Sequence, residues 1–271
     1  MEKSQFTKVQ LAKGEMAVYD FGTVKLHAYK TNDLIADECF LVEKAGHAFM
    51  IESPCFFDNL AEVEKYILEN GWTFEGTVIA YHGAGASFGK SLKNGSKVYS
   101  TKTADDYNHK GGGAALVVNF TKAFGDAFDK SIFTTSNFIE GEKLTLAGVE
   151  LKIVPTADAF DIEIPEINVV YTHMLGHDVH SIVAGSAHAD ALIASLNGYI
   201  QKKISLVLTS HYTVENLEDV KTKIEYLKDL KNIALKNPDA ATFKNAVQKK
   251  YPSYSGANYL EMTGGLFFPV K

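Results

Sequence analysis

Two histidines stand directly after apolar, β-branched segments that are far apart in the sequence. Residues 77–81 (TVIAY) are followed by His82 and then by the small residues of the loop GAGAS. Residues 205–209 (SLVLT) are followed by Ser210 and His211. A side chain that follows a buried strand and opens a loop is well placed for metal binding or catalysis. We therefore predict that both imidazoles belong to a functional site.

The richest group of histidines is residues 172–180, THMLGHDVH. In a helix, His173, His177 and His180 would share one face. This arrangement is only superficially that of a zinc protease, because no glutamate follows the first histidine and Gly176 interrupts the helix. We favour a loop across the site, with His180 and Asp178 as the catalytic candidates, since an imidazole titrates near neutral pH. The alternative is an ordinary loop histidine that is held by a hydrogen bond.

A second interpretation of the loop after His82 is a phosphate-binding loop. Residues 84–91 (AGASFGKS) fit a relaxed P-loop pattern in which alanine replaces the first glycine. A P-loop needs a long helix after it, whereas Asn94-Gly95 would end any helix after about one turn. Nucleotide hydrolysis is therefore the weaker hypothesis, although the loop's backbone could still hold a small anion.

The composition is that of a soluble globular protein. The chain has 271 residues, 46% of them hydrophobic and 22% charged, and a net charge of −6. Its basic residues are lysines spread along the chain, so we expect no nucleic-acid surface. No apolar run reaches the ~18 residues of a membrane span or forms a signal peptide, which predicts a cytoplasmic protein with no membrane contact. Cys39 and Cys55 are predicted to be buried free thiols.

Alternation and helical spacing predict the secondary-structure elements. We expect strands at 18–29, 38–43, 48–52, 77–81, 97–100, 144–149, 150–154, 160–164, 168–171 and 205–209. We expect helices at 60–70, 188–201, 214–237 and 239–250. The triple glycine at 111–113 predicts a flexible loop. Tyr107, His109 and Lys110 before it suggest a mobile lid or, alternatively, a plain surface loop.

This order of elements suits two sheets packed face to face with helices outside. We predict the α/β (α+β) class, a four-layer αββα sandwich, as a single domain over 1–271 with C-terminal helices from about 214. Asn32-Asp33 and Asp37-Glu38 precede the first hairpin and could reach the edge of the cleft, although a capped turn is the simpler role.

Four segments resemble the metallo-β-lactamase superfamily. CFLVEKAGHAFMIESP (39–54) is similar to its opening hairpin, which ends in an acidic residue, here Glu52. TVIAYHG is similar to the strand that leads to the metal loop. FDIEIPEINVVYTHMLG is similar to the later hairpin, and ISLVLTSHY to the last strand with its terminal histidine. The Pro165-Glu166 turn, the following histidine and the Ser-His ending place the resemblance nearest the alkylsulfatase-like branch, over about residues 38–235.

The resemblance implies a metal site, but a degenerate one. In the motif H-x-H-x-D-H, His82 matches the first histidine, whereas Ala84, Ala86 and Ser87 occupy the other ligand positions. His211 corresponds to the final histidine ligand, and His173 falls near the bridging carboxylate. The central histidine is missing from 155–161, where Asp158 and Asp161 are the only alternatives. The resemblance thus implies His82, His173 and His211 as ligands of one zinc or other divalent metal, and the alternative is a metal-free cleft.

Three functions follow from these observations. The first is a hydrolase of a small ester, thioester or sulfate-type substrate, with a single metal and His180 as an assisting group. The second is a metal-free protein that binds or senses a small molecule in the same cleft. The third is a homo-oligomeric structural or interaction protein, which depends only on the long helix at 214–237.

Overall fold

The computed structural model describes residues 5–173 and 175–269, which cluster into two compact units. Unit 1 consists of residues up to His173 together with Ser210–Thr213, and unit 2 of the remaining residues. The predicted single domain 1–271 includes residues 1–4, 174 and 270–271, which lie outside the described residues, and it stays a prediction. None of the described helices has the length and apolar character needed to cross a membrane.

Unit 1 begins with an eight-stranded sheet. Its first five strands are β1 (Thr7–Gln10), β2 (Gly14–Asp20), β3 (Val24–Thr31), β4 (Glu38–Lys44) and β5 (His47–Ile51). They pair antiparallel in sequence order. The strands β6 (Thr73–Val78), β7 (Val98–Ser100) and β8 (Asn137–Phe138) then continue the sheet in parallel.

The second sheet of unit 1 is antiparallel. Its strands are β9 (Lys143–Leu146), β10 (Val149–Pro155), β11 (Phe160–Ile164) and β12 (Val169–Tyr171), again paired in sequence order. Phe40 of the first sheet packs edge-on against Tyr171 of the second at a centroid distance of 6.0 Å. Both rings are fully buried, so the two sheets meet face to face over a core.

The described residues of unit 1 form three α-helices: α1 (Phe57–Glu69), α2 (Lys102–Lys110) and α3 (Gly112–Phe124). The helix α1 buries Leu60, Val63 and Ile67 at helical spacing against apolar side chains of the first sheet, among them Met50 and Phe74. Burial of such side chains contributes roughly 1.5–3 kcal/mol each.

Unit 2 contains the short strand β13 (Leu206–Leu208) and four helices: α4 (Gly185–Lys202), α5 (Leu217–Ala234), α6 (Ala240–Lys250) and α7 (Ala257–Phe267). The helix α5 begins with a capping box, in which the Asn216 side chain accepts from the backbone of Asp219 and the Asp219 carboxylate accepts from the backbone of Asn216. The four predicted helices correspond to α1, α4, α5 and α6 and form within about three residues of their predicted bounds.

Two predictions of local structure are wrong. Residues 18–29 form parts of two strands, because the chain turns at Gly22 with φ 85°. Residues 107–113 are helical on both sides of Gly111 instead of forming a flexible loop or mobile lid. Thr101 caps the first of these helices by accepting from the backbone N–H of Ala104 at 3.2 Å. Gly111 has an extended backbone, with φ −102° and ψ −150°, and separates α2 from α3.

Candidate metal centre

A buried carboxylate fixes the backbone that carries His82. The two oxygens of Glu52 accept from the backbone N–H groups of Tyr81 at 2.8 Å and His82 at 3.1 Å. Glu52 is fully buried and adopts φ 56°, which is unfavourable for a residue with a side chain. Strain of this kind persists only where the surroundings enforce it, and it is concentrated at functional sites.

The same carboxylate reaches the segments of the other two histidines through Tyr171. The Tyr171 hydroxyl donates to Oε1 of Glu52 at 2.7 Å and lies 2.6 Å from Oγ of Ser210. The backbone N–H of Ser210 in turn donates to the carbonyl of His173 at 3.1 Å. One buried network therefore positions the chain at His82, His173 and His211.

The three imidazoles meet at their Nε2 atoms. Nε2 of His82 lies 3.0 Å from Nε2 of His173 and 3.2 Å from Nε2 of His211. All three candidate ligand atoms lie within 4.8 Å of one another. A tetrahedral zinc with bonds of about 2.0–2.1 Å would space its nitrogens about 3.3 Å apart. The geometry is thus that of a three-histidine ligand set.

A second carboxylate orients His211 from behind. Oδ1 of Asp37 lies 3.0 Å from Nδ1 of His211, and Sγ of Cys55 donates to Oδ2 of Asp37 at 3.4 Å. Burial opposes the charge of Asp37, but His82, His211 and the thiol of Cys55 together lower the pKa of its carboxyl group. The contact favours a hydrogen on Nδ1 of His211, so that its Nε2 presents a lone pair to the cluster.

The pKa values of the other two imidazoles are lowered. Burial and the nearby His211 lower the pKa of His82, although Asp37 and Glu52 act in the opposite direction. Burial, His82 and His211 lower the pKa of His173 well below its ordinary value. A neutral imidazole has a free lone pair, which is the form that binds a metal.

His173 is also packed against an aromatic ring. The rings of Tyr81 and His173 stack at a centroid distance of 4.5 Å and an angle of 8°. The Tyr81 hydroxyl lies 2.8 Å from Oγ1 of Thr156 and bonds to Asp161, whose pKa burial raises to about 7. Asp161, an alternative ligand in the sequence analysis, lies outside the three-histidine cluster and is hydrogen-bonded to the tyrosine that packs against His173.

Two of the residues that stand at the other positions of the H-x-H-x-D-H motif are held through their backbone. The backbone N–H of Ala86 donates to the carbonyl of Ser131, and that of Ser87 donates to Oδ2 of Asp129 at 2.7 Å. Residues 86–96 form turns and bends, so the helix that a phosphate-binding loop requires does not follow. Within residues 5–173 and 175–269, one group of three or more His, Cys, Asp or Glu side chains could hold a metal ion. It consists of His82, His173 and His211.

An apolar cavity of about 90 Å³ opens over the three histidines. Part of its wall comes from α3, with Leu116, Val117 and Phe120. The other lining residues are Ile35, Asp37, Cys55, Tyr81, His82, Gly83, Ala84, Tyr107, Gly113, Phe128, His173 and His211. The cavity therefore combines a small polar end with an apolar body, as ligand sites commonly do.

The catalytic candidates His180 and Asp178 lie in unit 2. His180 is buried, its Nδ1 lies 2.9 Å from the Tyr226 hydroxyl, and burial together with Lys223 lowers its pKa. Asp178 is exposed, and its carbonyl accepts from the backbone of Ser255. A catalytic role for either residue stays a prediction.

The sequence does not predict Tyr81 or Tyr171 as parts of the site. It indicates a capped turn as the simpler role of Asp37, yet the carboxylate of Asp37 lies 3.0 Å from Nδ1 of His211. A signal was present in one case, because Tyr81 directly precedes His82. Asp37 is separated from His211 by most of the chain, so no local pattern marks their contact.

Comparison with known proteins gives matches in structure only. No protein-family model matches the chain, and no curated protein sequence matches it. Among solved structures, the chain is similar to a metallo-β-lactamase from Erythrobacter litoralis, with 10% identity, a TM-score of 0.55, and 82% of this chain and 100% of that one covered. It is also similar to a metallo-β-lactamase family protein from Thermus thermophilus, with 12% identity, a TM-score of 0.55, and coverages of 88% and 91%.

A third similar structure is the stereoselective inverting sec-alkylsulfatase Pisa1 from Pseudomonas sp., with 14% identity and a TM-score of 0.59. The match covers 96% of this chain but spans only about half, 51%, of the alkylsulfatase. At such identities the likeness concerns the fold alone. The chain has the metallo-β-lactamase fold, and the predicted fold class of two sheets with helices is confirmed.

Proposed function

We propose that the protein is a metal-dependent hydrolase with a diverged, single-metal site formed by His82, His173 and His211. The observation that carries the proposal is the convergence of three Nε2 atoms, two of them at 3.0 and 3.2 Å from the third. The fold supports it, because the similar structures include metallo-β-lactamases and an alkylsulfatase. The substrate would be a small ester, thioester or sulfate-type molecule.

The donor set fits a divalent cation such as zinc. With a hydrogen on Nδ1 of His211, its Nε2 carries a lone pair, and a single proton on Nε2 of His82 can be donated to only one of its two neighbours. At least one pair of neighbouring Nε2 atoms then lies at close range with no hydrogen bond between the two nitrogens. A cation among the three nitrogens removes this repulsion, and three histidines leave an open position for water or substrate.

When bound, such a cation supplies a Lewis acid and makes water a nucleophile near neutral pH. The protein's own residues hold the geometry. Asp37 lies 3.0 Å from Nδ1 of His211 and favours a hydrogen there, and Glu52 holds the backbone at His82. The cavity places the reacting group of the substrate at the imidazoles and excludes bulk water from its apolar part. In the reaction, water oxygen bonds to the acyl or sulfur centre, the bond to the leaving oxygen or sulfur breaks, and the leaving group takes up the proton.

We include His180 and Asp178 in the proposal as assisting acid/base groups. Their motivation is the sequence pattern, and burial together with the charge of Lys223 lowers the pKa of His180. The variant His180→Asn replaces the imidazole with a carboxamide, which forms hydrogen bonds but cannot transfer a proton. It should lower kcat by about 10²–10⁴-fold and leave the metal content unchanged, whereas an unchanged kcat excludes the role.

Metal analysis of protein purified without chelator tests the proposed function. We expect one divalent ion per chain in the wild type and less than one-tenth of that in His82→Ala, His173→Ala and His211→Ala. The control is His47→Ala, which removes an exposed imidazole that contacts Glu75. Substoichiometric metal in the wild type, with no gain on addition of Zn²⁺, Mn²⁺ or Fe²⁺, would favour the metal-free binding protein instead.

A second candidate function, a metal-free small-molecule binding or sensing protein, is favoured by one observation. Ala84, Ala86 and Ser87 occupy three ligand positions of the motif, and the backbone N–H groups of Ala86 and Ser87 are hydrogen-bonded to a neighbouring loop. Hydrolysis of a simple ester that is lost in His82→Ala would exclude this candidate.

A further inference from the structure

The side chains that line the cavity over the three histidines indicate which substrate charge the site accepts. The fold alone does not indicate this. Its lining includes one charged side chain, Asp37, and that charge is negative. No lysine lines the cavity among the described residues, and the sequence contains no arginine. A substrate with an anionic head group would therefore meet a carboxylate and no cationic side chain.

A bound cation would not provide the missing positive charge. The three imidazoles are neutral ligands, and two buried carboxylates lie beside them: Asp37 at His211, and Glu52 at the backbone of His82. The charge of one divalent cation is thus already balanced by the protein. An additional anion in this buried place would be uncompensated, and burying an unpaired charge is strongly unfavourable.

The apolar side chains of the cavity determine which size of substrate group it can hold. The apolar lining includes Leu116, Val117 and Phe120 of α3 together with Ile35 and Phe128, and the ring centroids of Phe120 and Phe128 lie 5.9 Å apart. Its volume is about 90 Å³, below the roughly 150 Å³ of an apolar cavity that accommodates benzene. The body of the cavity thus fits a short aliphatic group, not a long chain or an aromatic ring.

We propose that the substrate is an uncharged ester or thioester with a short, aliphatic acyl group, and that α3 determines this preference. The inference rests on the proposed hydrolase function and narrows it, because it excludes sulfate esters and other anionic substrates. In the reaction, the oxygen of water bonds to the carbonyl carbon, the bond from this carbon to the leaving oxygen or sulfur breaks, and an alcohol or thiol is released with the carboxylic acid. Water is the only co-reactant.

The first test compares neutral and anionic substrates on the metal-loaded wild type. We expect kcat/KM for p-nitrophenyl butyrate to exceed that for the mono-p-nitrophenyl ester of succinic acid by at least about 100-fold, and p-nitrophenyl sulfate to be inert. Among neutral esters, kcat/KM should be highest at roughly two to four acyl carbons. Phe120→Ala should move this optimum to longer chains. Equal or faster turnover of the anionic substrates would overturn the proposal.

A charge added to the wall should reverse the preference. Leu116 is 47% exposed and lines the cavity, so Leu116→Lys can fold and would bring an ammonium group to its mouth. We expect this variant to raise the succinate-to-butyrate ratio of kcat/KM at least about tenfold. The matched control is Val118→Lys, which adds the same charge on the same helix at a residue that is 55% exposed and does not line the cavity. Equal effects of both variants would overturn the assignment to α3.

A binding measurement separates this inference from the proposed function. Thermal unfolding of the wild type is followed with 2-hexanone, a neutral ketone, and with butane-1-sulfonate, its anionic counterpart, each with and without added Zn²⁺. We expect stabilisation by the ketone alone, and its loss in Leu116→Lys. If no ester is hydrolysed, the hydrolase function fails, but the ketone-to-sulfonate comparison still decides the ligand class. If esters are hydrolysed and the sulfonate stabilises the protein as strongly as the ketone does, the inference about substrate charge is wrong and the hydrolase function stands.

Discussion

The hydroxyl of Tyr171 donates to Oε1 of Glu52 at 2.7 Å, and through this one bond the strand before His173 is joined to the loop that carries His82. Both side chains are fully buried. The Tyr171 oxygen also lies 2.6 Å from Ser210, the residue before His211. These buried hydrogen bonds therefore fix the three candidate ligands relative to one another without a bound ion.

Replacing Tyr171 with phenylalanine should loosen the metal centre. The variant leaves Oε1 of Glu52 without its hydroxyl donor inside the core, which should cost about 1–3 kcal/mol of the free energy of unfolding. Because the links to His173 and His211 are lost together, metal affinity should fall about tenfold or more. Urea unfolding and metal titration measure the two effects.

The matched control for this variant is Tyr29→Phe. Tyr29 is also fully buried, and its hydroxyl donates to Glu62 at 2.8 Å. We expect a similar loss of stability with unchanged metal affinity. If the two phenylalanine variants bind the metal equally well, the Tyr171 network has no role in positioning the ligands.

Much of the secondary structure could be predicted because the physical signal is local. The apolar spacing of α1 and α5 and the alternation of β10 and β11 repeat over several residues, so each element marks itself. The hairpin of β2 and β3 was missed because the alternation continues past Gly22, and only the left-handed φ at this glycine turns the chain. The helical residues on both sides of Gly111 were missed because three consecutive glycines usually favour a loop.

The candidate site could be predicted only in part, for a related reason. His82, His173 and His211 each follow a strand, and strand ends are recognisable from sequence. The residues behind them are not, because their contacts join distant positions. Asp37 meets His211, and Glu52 meets Tyr171, through the packing of the sheets, and no spacing within one segment encodes such a contact.

Replacing Asp37 with asparagine should weaken metal binding without removing a ligand. The carboxylate favours a hydrogen on Nδ1 of His211 and raises the electron density of the ring, whereas a carboxamide does both less well. We expect a 10–100-fold lower metal affinity, approximately, by competition with a chelating dye. Asp129→Asn is the control, since this buried carboxylate accepts from Ser87 and Ser131 instead. An affinity equal to that of the wild type would show that Asp37 does not support His211.

The loop after His82 depends on Gly85, which approaches the neighbouring backbone closely. A Cβ at this position would lie 2.3 Å from the carbonyl oxygen of Pro54, and φ is +94°. Gly85→Ala should therefore lower the free energy of unfolding and displace the loop, with a loss of bound metal. Gly22→Ala is the control, because its φ of +85° imposes a comparable backbone cost while a Cβ meets nothing within 4 Å.

The difference between the two alanine variants isolates the steric contact. We expect Gly85→Ala to be less stable than Gly22→Ala by about 1–3 kcal/mol, the usual cost of overpacking. Chemical unfolding gives the stabilities, and elemental analysis the metal content. Equal stabilities together with full metal content in Gly85→Ala would mean that the loop can move away from Pro54 without harm to the site.

A buried lysine in unit 2 should make stability depend on pH. Nζ of Lys223 donates to the carbonyls of Gly176 at 2.9 Å and Val179 at 2.6 Å, and burial lowers its pKa from 10.5 to about 7, against the opposing charges of Glu215 and Asp178. A neutral amine keeps two N–H groups, enough for both carbonyls. Between pH 7 and 10.5 the unfolded chain therefore binds a proton at Lys223 that the folded chain does not, so stability rises with pH in this window.

The variant Lys223→Met removes this titration but keeps most of the side-chain volume. We expect the stability of the wild type relative to this variant to increase from pH 7.5 to 9.5 by up to about 1.4 kcal/mol per pH unit, the limit for one proton. Taking the difference cancels the titration of the neighbouring His177 to the extent that its contact with Glu215 is unchanged. Lys221→Met, at an exposed lysine of the same helix that pairs with Glu218, should give no such slope. A difference that stays flat over this range would show that Lys223 is charged in the folded protein, and that the carbonyls of Gly176 and Val179 stabilise an ammonium group there.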